Sequence, residues 1–216
     1  MSQLQVQSKH DPKHSRGEIF WFMGLYEFDV DLACELVQDG RESVELEEDD
    51  VRYSATGSHI NKSHLPNVDP TRPGIIAHVR YETDDGRAYL GHVLIDGNHR
   101  AARCMAEKRP FEAYLLTPDE SERVLLRGPA DPIPPLQGCL LKEGDQYILL
   151  EGDTGKRRKI DETTYFLLKS ADGNRTAKEI RAAYGELSGK SLSQEDFNIF
   201  VKRAQSRGWI RFSSRE

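Results

Sequence analysis

The sequence predicts a mixed α+β chain built as two modules. Residues 89–116 read as strand, Asp-Gly-Asn-His turn, helix and strand, the pattern of a small α/β domain. Residues 138–212 read as three short strands followed by three helices with capping residues in place. Between them, residues 127–137 hold four of the ten prolines. Proline fixes φ and removes a backbone donor, so this stretch reads as a semi-rigid extended linker. The expected modules are therefore residues 1–126 and 138–216, joined by 127–137.

In the first module, Ile19–Tyr26 is apolar and aromatic enough for a buried strand. Asp29 is placed to cap a helix over Val30–Gln38, which Gly40 ends. Val44–Leu46 reads as a short strand. Ser54–Asn67, rich in Ser, His, Asn and Gly, reads as a long loop. Gly74–Tyr81 and Tyr89–Ile95 form a hairpin around Asp84-Asp85-Gly86. Arg100–Lys108 is helical and Phe111–Leu116 extended. Thr117, Pro118 and Glu120 then open a further helix as N-cap, N1 and N3.

In the second module, Gly138–Lys142, Gln146–Glu151 and Lys156–Ile160 are strands separated by Glu-Gly-Asp and Asp-Thr-Gly turns. Asp161, Thr176 and Ser193 each cap a helix. Phe197, Phe200, Val201 and Ala204 make an apolar stripe at helical spacing. Gly208 stops the last helix, and Trp209–Phe212 returns as a strand.

Charge divides with the modules. Residues 1–126 carry 14 basic against 23 acidic side chains, and 127–216 carry 16 against 13. An acidic first module argues against broad phosphate-driven DNA binding there. The apolar runs fall short of the roughly 20 residues a membrane helix needs, and residues 1–18 lack the apolar core of a signal peptide. Three scattered cysteines, Cys34, Cys104 and Cys139, form neither a disulfide framework nor a CxxC zinc site. A cytoplasmic protein with reduced thiols and no membrane partner is expected.

Chemistry concentrates at the turn. Gly97 permits a tight strand-to-helix reversal, and the first amides of a helix favour an anion. Asn98, His99, Arg100 and Arg103 add donors at the same place, while Asp96 could orient a donor, bind a metal or act as a base. An ordinary helix start, with Asp96 or Asn98 as cap and Arg100 solvated, is the competing reading. His78 and His92 fall on the two strands of one hairpin and could face each other. No carboxylate or thiolate partners stand at metal-ligand spacing, so no protein-ligated metal is expected.

The segment Val93-Leu-Ile-Asp-Gly-Asn-His-Arg-Ala-Ala-Arg-Cys-Met-Ala-Glu-Lys-Arg-Pro-Phe-Glu-Ala-Tyr-Leu-Leu116 resembles the signature of the ParB/sulfiredoxin superfamily. The likeness covers Gly74–Leu126 well and Ile19–Asp69 loosely. It implies a small α/β fold whose turn holds nucleotide phosphates, with Gly97, His99 and Arg100 as contacts and ATP or CTP with Mg²⁺ as ligand. Members include chromosome-partitioning CTPases, sulfiredoxins and a free-serine kinase. Sulfiredoxins carry a reactive cysteine just before the His-Arg pair, where this chain has Asn98; sulfiredoxin chemistry is not expected. Nucleotide-dependent chemistry of an NTPase or kinase type would use Asp96 and His99 with a second acid, for which Glu27 or the Glu47–Asp50 run is the candidate.

Residues 138–212 resemble the PqqD-like family, the winged-helix recognition elements of ribosomal peptide biosynthesis. The residues concerned are Ile160-Asp-Glu-Thr-Thr-Tyr-Phe-Leu-Leu168, Asp172-Gly-Asn-Arg-Thr-Ala-Lys-Glu-Ile180 and Arg207-Gly-Trp-Ile210. The resemblance implies that a leader peptide adds as a strand at the edge Lys156–Ile160 and lies against the helix Gln194–Arg207, touching Phe197 and Val201. Lys156, Arg157, Arg158 and Lys159 would favour an acidic peptide. Equally, edge cations protect a strand from aggregation. The rival reading is a DNA-binding regulator using Lys202, Arg203 and Arg207 on that helix; a non-catalytic scaffold is the third.

Overall fold

The computed structural model describes residues 17–57, 60–83 and 87–212. The expected Asp84-Asp85-Gly86 turn, His59 and the terminal segments lie outside the described residues. Among those described, the chain is mixed α+β, with ten strands in three small sheets and seven α-helices.

The first sheet is β1 (Ile19–Phe22), β2 (Tyr26–Asp29) and β7 (Leu125–Arg127), with β2 central. The sequence suggested one strand over 19–26. Instead, Met23 and Gly24 both adopt positive φ (54° and 72°), and Leu25 N–H returns to Phe22 O. Two left-handed residues in succession reverse the chain, so the apolar run becomes a hairpin. Asp29 caps α1 (Val30–Leu36) by accepting from Leu32 N–H at 2.9 Å, as its position foretold. A 3-10 turn over Val37–Asp39 ends at Gly40, φ 88°.

The second sheet is ordered β3 (Val44–Glu45), β6 (Glu112–Leu115), β4 (Gly74–Glu82) and β5 (Ala88–Asp96). β4 and β5 pair antiparallel over their whole length, whereas β4 and β6 run parallel, joined through α3 (Asn98–Glu107). The acidic run and the start of the expected loop form α2 (Glu48–Gly57). Glu48, Asp49 and Asp50 occupy its first turn, where negative charge offsets the positive end of the helix dipole. Its polar composition hid this helix; among its described side chains, Val51 is the one in the core. α4 (Pro118–Val124) has the anticipated capping box, Thr117 with Glu120.

The third sheet is ordered β10 (Arg157–Ile160), β9 (Gln146–Glu151), β8 (Gly138–Glu143), all antiparallel. Three helices follow: α5 (Glu162–Ser170), α6 (Ala177–Ser188) and α7 (Gln194–Ser206). Asp161, Thr176 and Ser193 cap them through side-chain oxygens, each bonding the amide three residues on. The expected closing strand is reduced to one bridge, Leu136 to Ile210. The chain there is held by side chains as much as by a ladder: Trp209 and Ile210 are fully buried.

One buried cluster draws on both sides of the proline-rich segment, from Phe28 and Ile75 to Leu149, Phe197 and Trp209. The segment itself contributes Ile133, whose amide donates to Arg175 O at 2.8 Å. A smaller cluster, with Leu94, Ala101, Cys104 and Phe111, lies between the second sheet and α2–α3.

Candidate functional site

Gly97 makes the turn between β5 and α3 at φ 98°, a conformation that costs a side-chain-bearing residue. The space is equally restrictive. A Cβ there would meet Gly74 Cα at 2.9 Å and Phe111 Cζ at 3.2 Å. Gly97 is the N-cap of α3 and no side chain caps that helix. The alternative caps fall away: Asp96 bonds Arg100, and Asn98 Nδ2 donates back to Leu94 O at 3.1 Å. The uncapped amides and the dipole leave a positive potential at this end.

The side chains expected to hold phosphates have further partners in the structure. Arg100 donates to Asp96 Oδ2 at 2.7 Å and Pro73 O at 3.1 Å, with the ion pair mostly buried. Arg103 reaches Val68 O at 2.6 Å, Pro66 O at 3.1 Å and Glu107. His99 Nε2 accepts from Asn61 N–H at 3.1 Å, and its ring meets His64 edge-on, centroids 5.5 Å apart. Together with Cys104 Sγ–H to Pro70 O, these contacts bind the segment 61–73 onto α3. Carbonyl groups of that segment have few internal partners, and arginine satisfies them.

A cavity of 510 Å³ opens beside Asp96, between α1, the 3-10 turn after it and the start of β4. Cys34, Gln38, Arg41, Arg72 and Tyr114 share its wall. Arg41 is committed to a two-pronged pair with Glu120, at 2.5 and 2.9 Å. Arg72 is exposed and has no ion pair with another described residue. Burial, reinforced by Asp96 and other carboxylates, pushes the Cys34 thiol up, which disfavours a thiolate. Sequence reading missed Arg72 and Cys34 here, because nothing local shows that residues 34, 72 and 96 converge.

Glu27, the expected second acid, sits in β2 of a different sheet from Asp96. It is 4% exposed and its Oε1 has no hydrogen-bond partner among the described residues. Burial raises its pKa, with Arg127 opposing. It does not line the cavity at Asp96. Among the described residues, no group of three or more His, Cys, Asp or Glu side chains converges as a metal site.

In the third sheet β10 is an edge strand. Glu151 N–H bonds Lys156 O, so Lys156, Arg158 and Ile160 turn their backbone groups toward β9. By the antiparallel alternation, those of Arg157 and Lys159 point to the open side. Arg157 pairs with Glu143, and Arg158 with Glu151. Lys156 and Lys159 are exposed and have no ion pair with another described residue. Lys159, Lys142 and Tyr147 line a second cavity, of 430 Å³, at the end of this sheet.

Phe197 and Val201 are fully buried, so they pack the core rather than offer a peptide groove. The stripe beside them is also covered. A Cβ on Gly24 would meet Asn198 O at 3.3 Å and Lys202 N at 3.2 Å, so the β1–β2 turn lies against α7.

Searches against protein-family models, curated proteins and solved structures find no match for the chain. Among the described residues no helix is long and apolar enough to cross a membrane.

Proposed function

We propose that the protein captures an acidic, extended peptide by strand addition along β10, as an accessory to the modification of a ribosomally made peptide. One observation carries this reading: Arg157 and Lys159 direct backbone donors and acceptors outward on an edge that no other described strand pairs, with Lys156 and Lys159 exposed along it. Main-chain pairing supplies affinity there, and the two lysines select negative charge. The contact is with the edge strand alone, since Phe197 and Val201 of α7 are buried.

A second ligand belongs to the same proposal. The uncapped start of α3, with exposed Arg72 beside the neighbouring cavity, suits a phosphate group, of ATP or CTP with Mg²⁺. This makes the first module a nucleotide-responsive partner of the peptide-binding one. The DNA reading has less support. The β1–β2 turn approaches the backbone of α7 at Lys202, and the Arg207 guanidinium stands 4.9 Å over the Trp209 ring.

The test uses the full chain and a fluorescent peptide alternating glutamate with valine and leucine, read by anisotropy. Lys159→Pro removes an outward N–H and leaves the β9 ladder whole, so binding should be lost with the fold retained. Arg158→Pro, which removes an inward N–H, should disrupt the sheet itself. Peptide binding indifferent to Lys159→Pro, or duplex DNA binding that depends on Lys202, Arg203 and Arg207, overturns the peptide reading. Thermal shift with ATP or CTP and Mg²⁺, diminished in Arg72→Ala, tests the second ligand.

A further inference from the structure

His78 and His92 stand directly opposite each other in the β4–β5 hairpin. The His78 N–H donates to Ser121 Oγ at 2.9 Å, on the α4 side, so it points away from β5. The pair is therefore the non-hydrogen-bonded kind, in which Cα atoms approach to about 4.5 Å and side chains come closest. The imidazole centroids are 4.6 Å apart with planes at 55°.

We propose that His78 and His92 form a two-histidine site for a borderline divalent transition-metal ion, of the Zn²⁺, Ni²⁺ or Cu²⁺ class. The geometry fits. With metal–nitrogen bonds of about 2.0–2.1 Å and angles between square and tetrahedral, two imidazoles on one ion have centroids about 4.5–5.2 Å apart. The strands already hold the rings at that spacing, so binding costs little reorganisation. His78 is half-buried and His92 exposed, which gives the ion an entry path. His78 Nδ1 is buried without a hydrogen-bond partner among the described residues. A buried ring nitrogen in that state is stabilised by any partner, a bound ion included.

Two imidazoles leave the remaining positions to water, so the site is exchangeable and weaker than a four-ligand structural zinc. Imidazole selects these ions over Mg²⁺, which demands oxygen. The other histidine pair is not equivalent: His99 Nε2 is taken by the Asn61 amide. The site is separate from α3 and β10, so it does not depend on either proposed ligand.

Calorimetric titration of the full chain with Ni²⁺, Zn²⁺ and Cu²⁺ at neutral pH tests the proposal, with Mg²⁺ as control. One equivalent of each transition metal should bind at the pair. His92→Gln alters an exposed side chain and should keep the circular dichroism spectrum. It should weaken binding by more than about 100-fold, beyond the roughly 10–100-fold that loss of a supporting contact causes. His64→Gln should bind as the parent does, and Mg²⁺ should give no heat. Equal affinities in the parent and His92→Gln, or a loss that follows His64→Gln instead, overturns the site.

Discussion

Trp209 Nε1 donates to Glu151 Oε1 at 3.3 Å, across a contact in which both residues are nearly inaccessible. The bond ties the segment after α7 to the end of β9. The same carboxylate accepts from the Thr154 hydroxyl and from Arg158, and those contacts, Thr154 first, hold its pKa down at about 2. Gln137 N–H bonds Trp209 O at 2.6 Å, so the proline-rich segment is fastened at the same point. Trp209→Phe keeps most of the apolar area but leaves the carboxylate without this donor. A loss of about 1.5–3 kcal/mol is expected for a bond to a charged group. Urea denaturation measures it; an unchanged midpoint contradicts the assignment.

Gly97→Ala should cost more than an ordinary exposed substitution. The residue would be strained at φ 98° and its methyl would press on Gly74 Cα. About 1–3 kcal/mol for the backbone strain alone is the expected destabilisation. Gly189→Ala, also left-handed at φ 68° but with open space around it, is the control that isolates the steric part.

The Arg41–Glu120 pair joins the segment after α1 to the first turn of α4. Arg41 first, together with the Thr117 contacts, depresses the Glu120 pKa to about 2 from 4.5. Because the folded value is lowered, its contribution is present above about pH 4.5 and is lost as pH falls toward 2. Glu120→Gln should therefore lower the melting temperature at neutral pH and flatten its fall below pH 4.5. Glutamine can still accept the Thr117 N–H of the capping box, so the change reports on the pair with Arg41. A variant whose acid dependence parallels the parent's contradicts the pairing.

Thiol labelling should follow exposure. Cys139 is exposed, Cys34 half-buried and Cys104 buried. Burial raises the pKa of both Cys34 and Cys104. A disulfide reagent should label Cys139 first and reach Cys104 only on unfolding. Cys104→Ala should leave any ligand binding at α3 intact, since that thiol contacts Pro70 O and the core. Rapid labelling of Cys104 in the native protein contradicts its place there.

The sequence by itself determined the short-range features. Asp29, Thr117, Asp161, Thr176 and Ser193 all cap helices where their positions foretold, because a cap needs only an oxygen and an amide three residues apart. The facing of His78 and His92 was legible for a similar reason: a hairpin register follows from its two alternating strands. Only the tertiary structure decided the rest. That Ile19–Tyr26 folds back on itself depends on a reversal at Met23 and Gly24, and nearby Gly24 lies against α7, far along the chain. That Arg100, Arg103 and His99 hold the segment 61–73 depends on carbonyls and an amide roughly 27 to 38 positions away. Likewise the apolar stripe of α7 could have been a groove or a core, and its periodicity is the same in both. Burial of Phe197 and Val201 beneath neighbours from both ends of the chain made it core. Local hydrogen bonds are written in spacing, whereas long-range contacts depend on which distant surfaces exclude water together.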